Sequence, residues 1–308
     1  MKRHPWIGRL LKAVLTAVVI YFVYRQVAGN WDAIRSHPWQ LNVLPLILAL
    51  IVDLIVFAFL SWLWRVVIAG FGHPITFAES FRIFYLSNLG RYIPGRVWQL
   101  FGILYLAGRK GIPAPQATAS FIAIQLFAIP ASFVLFAATA AVDPDLLAEV
   151  TKGVDPVAIY LFVGLMVLLS LAVMFFPQPV FALGDRILRR LKWGTLPFRM
   201  ERRTAIALYF GYVLAWFLYG FAFWLFLKGV TGDTNLPVLA AIGAYNGAYQ
   251  IGYLALFAPG GLGPREFVLT VMLSPFIGPI AAAVAVISRL WSILVEGIAA
   301  LIALAVGK

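Results

Sequence analysis

The sequence contains no cysteine, which excludes disulfide bonds and thiolate chemistry. Its three histidines, His4, His37 and His73, are scattered near the ends of apolar segments, so we expect neither a metal site nor another cofactor. Charged residues make up only 12% of the 308 residues, whereas hydrophobic residues make up 63%. A soluble domain could not bury that much apolar surface, so the composition predicts a membrane protein with several spanning segments.

Acidic residues are scarce, with 12 Asp and Glu against 24 Lys and Arg and a formal net charge of +12. Most of the excess positive charge lies in loops between apolar segments, so we expect no nucleic-acid partner. This distribution is typical of cytoplasmic loops and of surfaces that attract anionic lipids. It predicts a bacterial-type cytoplasmic (inner) membrane, with both termini in the cytoplasm. We attribute the aromatic excess mostly to lipid-facing surface and interface belts.

Long apolar runs recur from one end of the sequence to the other, and they predict an all-α integral membrane protein with about seven spanning helices. The first run follows a basic N-terminus, but no small-residue cleavage site comes after it, so we expect a retained membrane helix. The predicted spans are 10–28, 42–70, 117–142, 157–176, 204–228 and 279–306.

Two further segments are interrupted, and we predict that each is a re-entrant broken-helix hairpin. A pair of spanning helices for the first segment, and plain turns at the membrane surface for either break, are the alternatives. In the segment 75–110, a short and polar helix over 77–92 is stopped by Pro94 and Gly95, and a second short helix follows. In the segment 236–276, the break is formed by Pro259 and the glycines after it. An interrupted backbone in a membrane is tolerated only where it is buried in protein or lines a cavity.

The order of these segments predicts an inverted repeat within a single membrane domain. Unit 1 covers 42–142 and unit 2 covers 204–306, and each has a span, a hairpin and a second span. The span 157–176 and the basic loop 177–203, which we expect to include an interfacial amphipathic helix, link the units. Loop charges place the start of unit 1 outside and that of unit 2 inside, so the hairpins would meet near the midplane.

The residues at the two breaks suit an anionic headgroup. Gly263 followed by Pro264 is typical of a helix start with free N–H groups, and Arg265 can donate two hydrogen bonds to a phosphate. The predicted headgroup-binding residues are Asn88, Arg91, Arg96, Gln99, Gly260, Gly261, Gly263, Arg265 and Glu266. The predicted break or hinge residues are Pro94, Gly95, Pro259 and Pro264.

Other polar residues lie within apolar segments, where each ionisable group costs ~2.5–3.5 kcal/mol to insert. We predict that they line the cavity or take part in coupling: Asp53, Glu79, Arg82, Gln125, Arg289 and Glu296. The four carboxylates Asp53, Glu79, Glu266 and Glu296 are candidates for proton coupling, and the sequence does not choose among them. Structural ion pairs, between Arg265 and Glu266 or between Arg289 and Glu296, are the alternative interpretation.

The two breaks also resemble signature stretches of a known family. The stretches NLGRYIPGRVW at 88–98 and APGGLGPRE at 258–266 are similar to those of the lysylphosphatidylglycerol synthase/flippase transmembrane family. The resemblance implies movement of a polar-headed lipid between leaflets, with Arg91, Arg96, Arg265 and Glu266 handling the headgroup. Bifunctional members carry a soluble transferase domain after the membrane region. Because this sequence ends at Lys308, we expect no synthase activity.

We therefore expect a lipid flippase or transporter, and not an enzyme, whose ligand is an anionic or aminoacylated phospholipid or a related polar lipid. Its expected partners are membrane lipids and enzymes of lipid biosynthesis, and its oligomeric state is left open. Two alternatives also remain open at this point. One is a membrane-embedded lipid-modifying enzyme that uses Glu266 as its acid or base. The other is a non-transporting scaffold of an envelope-lipid synthesis complex.

Overall fold

The computed structural model describes most of the chain from Trp31 onward. The described residues are 31–37, 39–92, 97–142, 155–190, 200–232, 236–255 and 263–306, together with Tyr24, Ala28, Ala258 and Gly261. Most of the predicted first span, the loops 143–154 and 191–199, and several residues of both breaks lie outside this set.

The described residues form α-helices and short 3-10 turns, with no strand among them. Together with the apolar composition, this makes the chain an all-α multi-pass membrane protein. The helices are α1 Trp31–Ser36, α2 Val43–Gly70, α3 Phe77–Asn88, α4 Val97–Gly108, α5 Ala114–Val142, α6 Pro156–Phe175, α7 Pro177–Arg190, α8 Arg202–Thr231, α9 Val238–Leu254, α10 Pro264–Ile277 and α11 Ala281–Val306. The 3-10 turns are Leu89–Tyr92, after α3, and Gly278–Ile280, before α11.

Hydrogen bonds and backbone conformation explain where α3 and α10, one helix from each interrupted segment, begin. At α3, the Thr76 side chain accepts from the N–H of Glu79 at 3.3 Å, and the Glu79 carboxylate accepts from the N–H of Thr76 at 2.9 Å. This reciprocal cap satisfies two backbone donors at the helix start. At α10, Gly263 has a φ of 92°, which favours glycine, and Pro264 occupies the first turn. The helix start predicted at Gly263 and Pro264 is confirmed.

Helices α2 and α8 pack along each other and form the centre of the fold. Gly229 lies against Leu46, and Gly211 lies against Leu63, so the two helices run in opposite directions. A Cβ at Gly211 would come within 2.8 Å of the Leu63 side chain. Small residues allow this close approach of two membrane helices, where packing rather than hydrophobicity drives association.

Each interrupted segment forms a hairpin of two short helices. Helices α3 and α4 pack against each other, as do α9 and α10. Gly90 lies close to the backbone of Trp98 across the first hairpin, and Gly252 lies close to Arg265 across the second. The sequence predicted both interruptions to within a few residues. The break residues Pro94, Gly95, Pro259 and Gly260 lie outside the described part of the chain.

Four helical segments are long and apolar enough to cross a membrane: Val43–Gly70, Ala114–Thr139, Arg202–Thr231 and Pro264–Val306. Within the last of these segments the chain reverses direction at Gly278. Contacts of Arg265 with Ser292 and of Glu266 with Arg289 show this, because they join α10, before Gly278, to α11, after it.

A fifth span is counted if the bent pair Tyr160–Phe175 and Pro177–Arg186 is taken as one, although its two parts meet at 100°. Helix α7 confirms that the basic loop contains a helix, with Arg189 and Arg190 in its last turn.

Candidate functional site

A cavity of about 320 Å³ lies between the two hairpins. Its wall includes Asn88, Arg91 and Gln99 from the first hairpin and Gly252 and Arg265 from the second. Helices α2, α5, α8 and α11 complete the wall. The volume falls at the lower end of the range of small-molecule sites, and most of the lining is apolar or aromatic with a few polar groups. Described residues beside both breaks therefore face the same space.

Arg91 lies in the 3-10 turn after α3 and bridges the two halves of the molecule. It forms a salt bridge with Glu296 of α11 and donates a hydrogen bond to the Tyr249 hydroxyl of α9 at 3.0 Å. Its side chain is 21% exposed, whereas that of Glu296 is 4% exposed. Arg91 thus lies at the cavity wall with an almost fully buried acidic partner behind it.

Arg265, in the first turn of α10, is buried against aromatic rings. Its guanidinium lies 5.3 Å from the ring centre of Tyr245 and 5.6 Å from that of Tyr249, within the range of cation–π attraction. It also donates a hydrogen bond to the Ser292 hydroxyl at 3.3 Å. These contacts fix its position while leaving donors for a ligand. The structure shows no bond between Arg265 and the adjacent Glu266.

Glu266 has a structural role that the sequence did not predict. One carboxylate oxygen accepts from the N–H of Gly263 at 2.7 Å, and the other lies 3.8 Å from a guanidinium nitrogen of Arg289. The cap occupies an N–H at the start of α10, so this helix end offers fewer free donors than the sequence suggested. The pairs are Arg91 with Glu296 and Arg289 with Glu266, so the alternative pair of Arg289 with Glu296 is wrong.

A second, smaller pocket of about 20 Å³ lies behind the cavity. Arg91 and Arg265 line both spaces, and the inner pocket also contains Asp53 and Glu296. Asp53 is 9% exposed and accepts a hydrogen bond at 3.0 Å from the indole of Trp291. The two arginines therefore separate the cavity from a buried acidic pocket. We name this space, defined by Asp53, Arg91, Arg265 and Glu296, the inner pocket.

Several other predicted residues lie at or beside the cavity. Asn88 accepts a hydrogen bond from Gln99 at 2.9 Å, which joins α3 to α4. Gln125 lines the cavity from α5. Gly261 has a φ of 75° and lies within van der Waals distance of Gly252, where a Cβ would meet the Gly252 carbonyl oxygen at 2.7 Å. Arg96 and Gly260 lie outside the described residues.

Glu79 and Arg82 are not among the residues that line the cavity. Glu79 lies at the foot of the first hairpin, where Lys110 binds it at 2.7 Å. The hydrogen bond from Lys110 and that from the Thr76 backbone lower the pKa of Glu79 to about 2. The carboxylate therefore stays ionised at neutral pH and joins the two ends of the hairpin.

The sequence did not predict the aromatic lining of the cavity. Trp216, Tyr219 and Tyr249 form a ring cluster, with Trp216 5.6 Å from Tyr219 and 5.0 Å from Tyr249 between ring centres. We attributed most aromatic residues to lipid-facing surface, and these three line the cavity. Their only sequence signal is that tyrosines are frequent in 209–253, in the middle of helical segments rather than at their ends, where interface aromatics concentrate.

Three buried polar atoms in the cavity wall have no hydrogen-bond partner among the described residues. They are the hydroxyls of Tyr85 and Tyr212 and the side-chain oxygen of Gln250. Each of these residues is at most 3% exposed. Buried polar groups are normally satisfied, so these atoms suggest that a polar ligand or water occupies the cavity. The described residues include no group of three or more His, Asp or Glu placed to hold a metal ion.

A family model described as lysylphosphatidylglycerol synthase TM region matches residues 9–300, which is nearly the whole chain and includes both hairpins. A search of curated proteins finds no match.

Proposed function

The chain belongs to the lysylphosphatidylglycerol synthase TM region family, and from this premise we propose that it moves a polar lipid between membrane leaflets. The proposed ligand is an anionic or aminoacylated phospholipid or a related polar lipid. Its phosphate would be held by Arg91 and Arg265, while its acyl chains remain in the surrounding membrane. The proposed activity is transport and involves no synthase step.

One observation carries this proposal. Residues from both breaks line a single cavity, and three arginines line it, of which Arg91 and Arg265 are the two that come from the breaks. Guanidinium groups match phosphate oxygens in geometry and bind them through paired hydrogen bonds. The hydroxyls of Tyr85 and Tyr212, which lack partners among the described residues, would add two donors. The cavity thus offers an anion site enclosed by apolar walls.

The lining also supports access from the lipid phase. Leu254, at the end of α9, lines the cavity and is 46% exposed. An exposed leucine at the cavity wall would give acyl chains an apolar contact beside the headgroup. We propose that the headgroup enters sideways past Leu254, so that the tails never cross the protein.

The packing of the helices supports an inverted repeat that would give alternating access. Unit 1 contains helices α2–α5 and unit 2 contains helices α8–α11. Within each unit, every helix packs against the next one along the chain. The equivalent helices α2 and α8 run antiparallel. In an exchange of the two units, α5 takes the place of α11 and α9 takes the place of α3. The contact of α5 with α9 then corresponds to that of α11 with α3, and both contacts are present. Units related in this way can rock against each other around a central site.

Arg265→Ala provides the direct test. Purified protein is reconstituted in vesicles that contain a fluorescent phosphatidylglycerol, and an impermeant reductant bleaches the label in the outer leaflet. Wild-type protein should expose nearly all the label to the reductant, and Arg265→Ala should slow this exposure at least tenfold. Loss of a charge-assisted hydrogen bond of about 1.5–3 kcal/mol corresponds to such a change.

Arg203→Ala is the matched control, because Arg203 is exposed in the first turn of α8 and does not line the cavity. It should leave the exposure rate unchanged. The proposal is contradicted if vesicles with wild-type protein expose no more label than empty vesicles.

A further inference from the structure

The inner pocket contains two arginines and two carboxylates: Arg91, Arg265, Asp53 and Glu296. Before any ligand arrives, Arg91 forms a salt bridge with Glu296. A headgroup phosphate that takes the Arg91 guanidinium would leave Glu296 as a buried carboxylate without its partner. An uncompensated charge in a low-dielectric interior is costly, so a compensating positive charge must arrive with the phosphate.

The structure distinguishes among the acidic groups. Glu266 is held by the N–H of Gly263, and Asp53 accepts from the indole of Trp291. Glu296 is paired with Arg91, which is itself a wall residue of the cavity. One oxygen of each glutamate, Oε2 of Glu296 and Oε1 of Glu266, is buried without a hydrogen-bond partner among the described residues. Arg289, the partner of Glu266, also lines the cavity, but it lies 3.8 Å from a carboxylate that the Gly263 N–H already holds at 2.7 Å. Glu296 relies on Arg91 instead, so it is the carboxylate that loses its main partner when a ligand takes an arginine away.

The inner pocket has room for a proton carrier. Its volume of about 20 Å³ is enough for one water molecule, and Glu296 lines it. The charged and titratable groups that face Glu296 come from α2, α3, the turn after α3, α8, α9 and α10. They are Asp53, Tyr85, Arg91, Tyr219, Tyr245, Tyr249 and Arg265. Among these groups, Arg91 is the one that pairs directly with Glu296.

We propose that Glu296 exchanges Arg91 for a proton when a headgroup phosphate binds. This inference rests on the proposed transport function and adds that headgroup binding is coupled to the uptake of a proton. In the empty site, Glu296 is ionised and holds Arg91. When the phosphate takes over the Arg91 guanidinium, one proton moves from bulk water through the inner pocket onto a Glu296 oxygen. One O–H bond breaks in hydronium and one forms on the carboxyl group, so neither the phosphate nor Glu296 is left as an uncompensated charge.

Proton uptake can be measured directly on wild-type protein. A short-chain phosphatidylglycerol is titrated into the detergent-solubilised protein by calorimetry, in buffers with different ionisation enthalpies. We expect uptake of close to one proton per lipid at pH 7, and affinity that rises about tenfold for each unit of falling pH while Glu296 titrates. A short-chain phosphatidylcholine carries its own cation and should take up none. Equal uptake with both lipids, or none with either, overturns the proposal.

Glu296→Gln tests the residue. Glutamine imitates the protonated carboxyl group, so this variant should bind phosphatidylglycerol without proton uptake and with affinity independent of pH. Glu201→Gln is the matched control, because Glu201 is exposed ahead of α8 and its side chain forms no cap hydrogen bond. It should behave as wild type. Undiminished uptake in Glu296→Gln would overturn the assignment.

Reconstituted vesicles separate the two proposals. A pH indicator in the lumen reports proton movement while the fluorescent lipid reports its own exposure. Lipid movement that proceeds without any change of luminal pH, in vesicles made leaky to other ions, overturns the coupling and leaves transport standing. Absence of lipid movement in wild type overturns both.

Discussion

Arg91 is the residue on which the two halves of the molecule converge. It belongs to the first hairpin, yet its partners Glu296 and Tyr249 belong to the second half of the chain. Removing one member of a buried ion pair costs more than replacing both members by apolar residues, because the remaining charge is left buried without a partner. The Arg91–Glu296 pair therefore holds the empty cavity in one arrangement, and a ligand can compete for it.

Arg91→Ala should destabilise the protein more than the double variant that lacks both Arg91 and Glu296. In Arg91→Ala, Glu296 would either stay a buried charge without its partner, which costs about 3–5 kcal/mol, or take up a proton as proposed for the occupied site, which lowers that cost. We expect a clear fall in the unfolding temperature in detergent for Arg91→Ala. The double variant with Glu296→Ala should recover part of it. If the double variant loses the sum of the two single losses, the pair contributes nothing to stability.

At the scale of elements, glycines set the geometry of both hairpins. Gly90 and Gly102 bring α4 close to the end of α3, where a Cβ would lie 2.6 Å from Trp98 and 2.9 Å from Ser87. Gly252 does the same between α9 and α10, where a Cβ would lie 2.7 Å from the Cβ of Arg265. Since these contacts are with backbone or with the stem of a side chain, they cannot be relieved by a simple rotamer change.

Gly252→Ala should therefore move Arg265 and impair phosphatidylglycerol binding. Gly297→Ala is the control, because nothing lies within 4 Å of the added Cβ at that helical position. Alanine there should be neutral or stabilising by up to about 1 kcal/mol. Lipid affinity is measured by calorimetry and stability by thermal unfolding. Wild-type affinity in Gly252→Ala would show that the close approach does not position Arg265.

Glu79 ties the foot of the first hairpin to Lys110, and its contribution to stability depends on pH. Because its folded pKa of about 2 lies below the ordinary value of 4.5, the stabilisation is present above that ordinary value and is lost as the pH falls towards 2. Glu79→Gln should lower the free energy of unfolding at pH 7 by less than about 1 kcal/mol, since the pair is partly exposed. Thermal unfolding should show the difference between variant and wild type shrinking below pH 4. A constant difference would contradict this.

The elements themselves could largely be predicted from the sequence. Proline and glycine at each break, and the length of each apolar run, located both hairpins and most long helices, because these signals are local. The partners of charged residues could not be predicted. The spacing of Arg289 and Glu296 on one helix face suggested a pair, whereas the structure gives each a partner from another helix. Such choices depend on tertiary packing.

At the scale of the whole molecule, the two four-helix units contact each other in a pattern that is unchanged when they are exchanged. The contact of α5 with α8 corresponds to that of α11 with α2, and both occur. The segment order and loop charges predict two units related by inversion, whose sequences show negligible identity, and this relation stays a prediction that the contacts support. What neither order nor charge could predict is the aromatic interior, since tyrosine suits a lipid interface and a buried polar site equally well.

The orientation of the units can be tested because the chain has no cysteine to interfere with labelling. We expect the feet of the two hairpins to lie on opposite sides of the membrane. Arg109→Cys is at the exposed foot of the first hairpin, and Ser274→Cys is near the exposed foot of the second. In intact cells, an impermeant maleimide should label Ser274→Cys and leave Arg109→Cys unlabelled until the membrane is opened. Labelling of both from the same side would place the hairpins in the same leaflet, and the rocking of inverted units could not then carry a headgroup across.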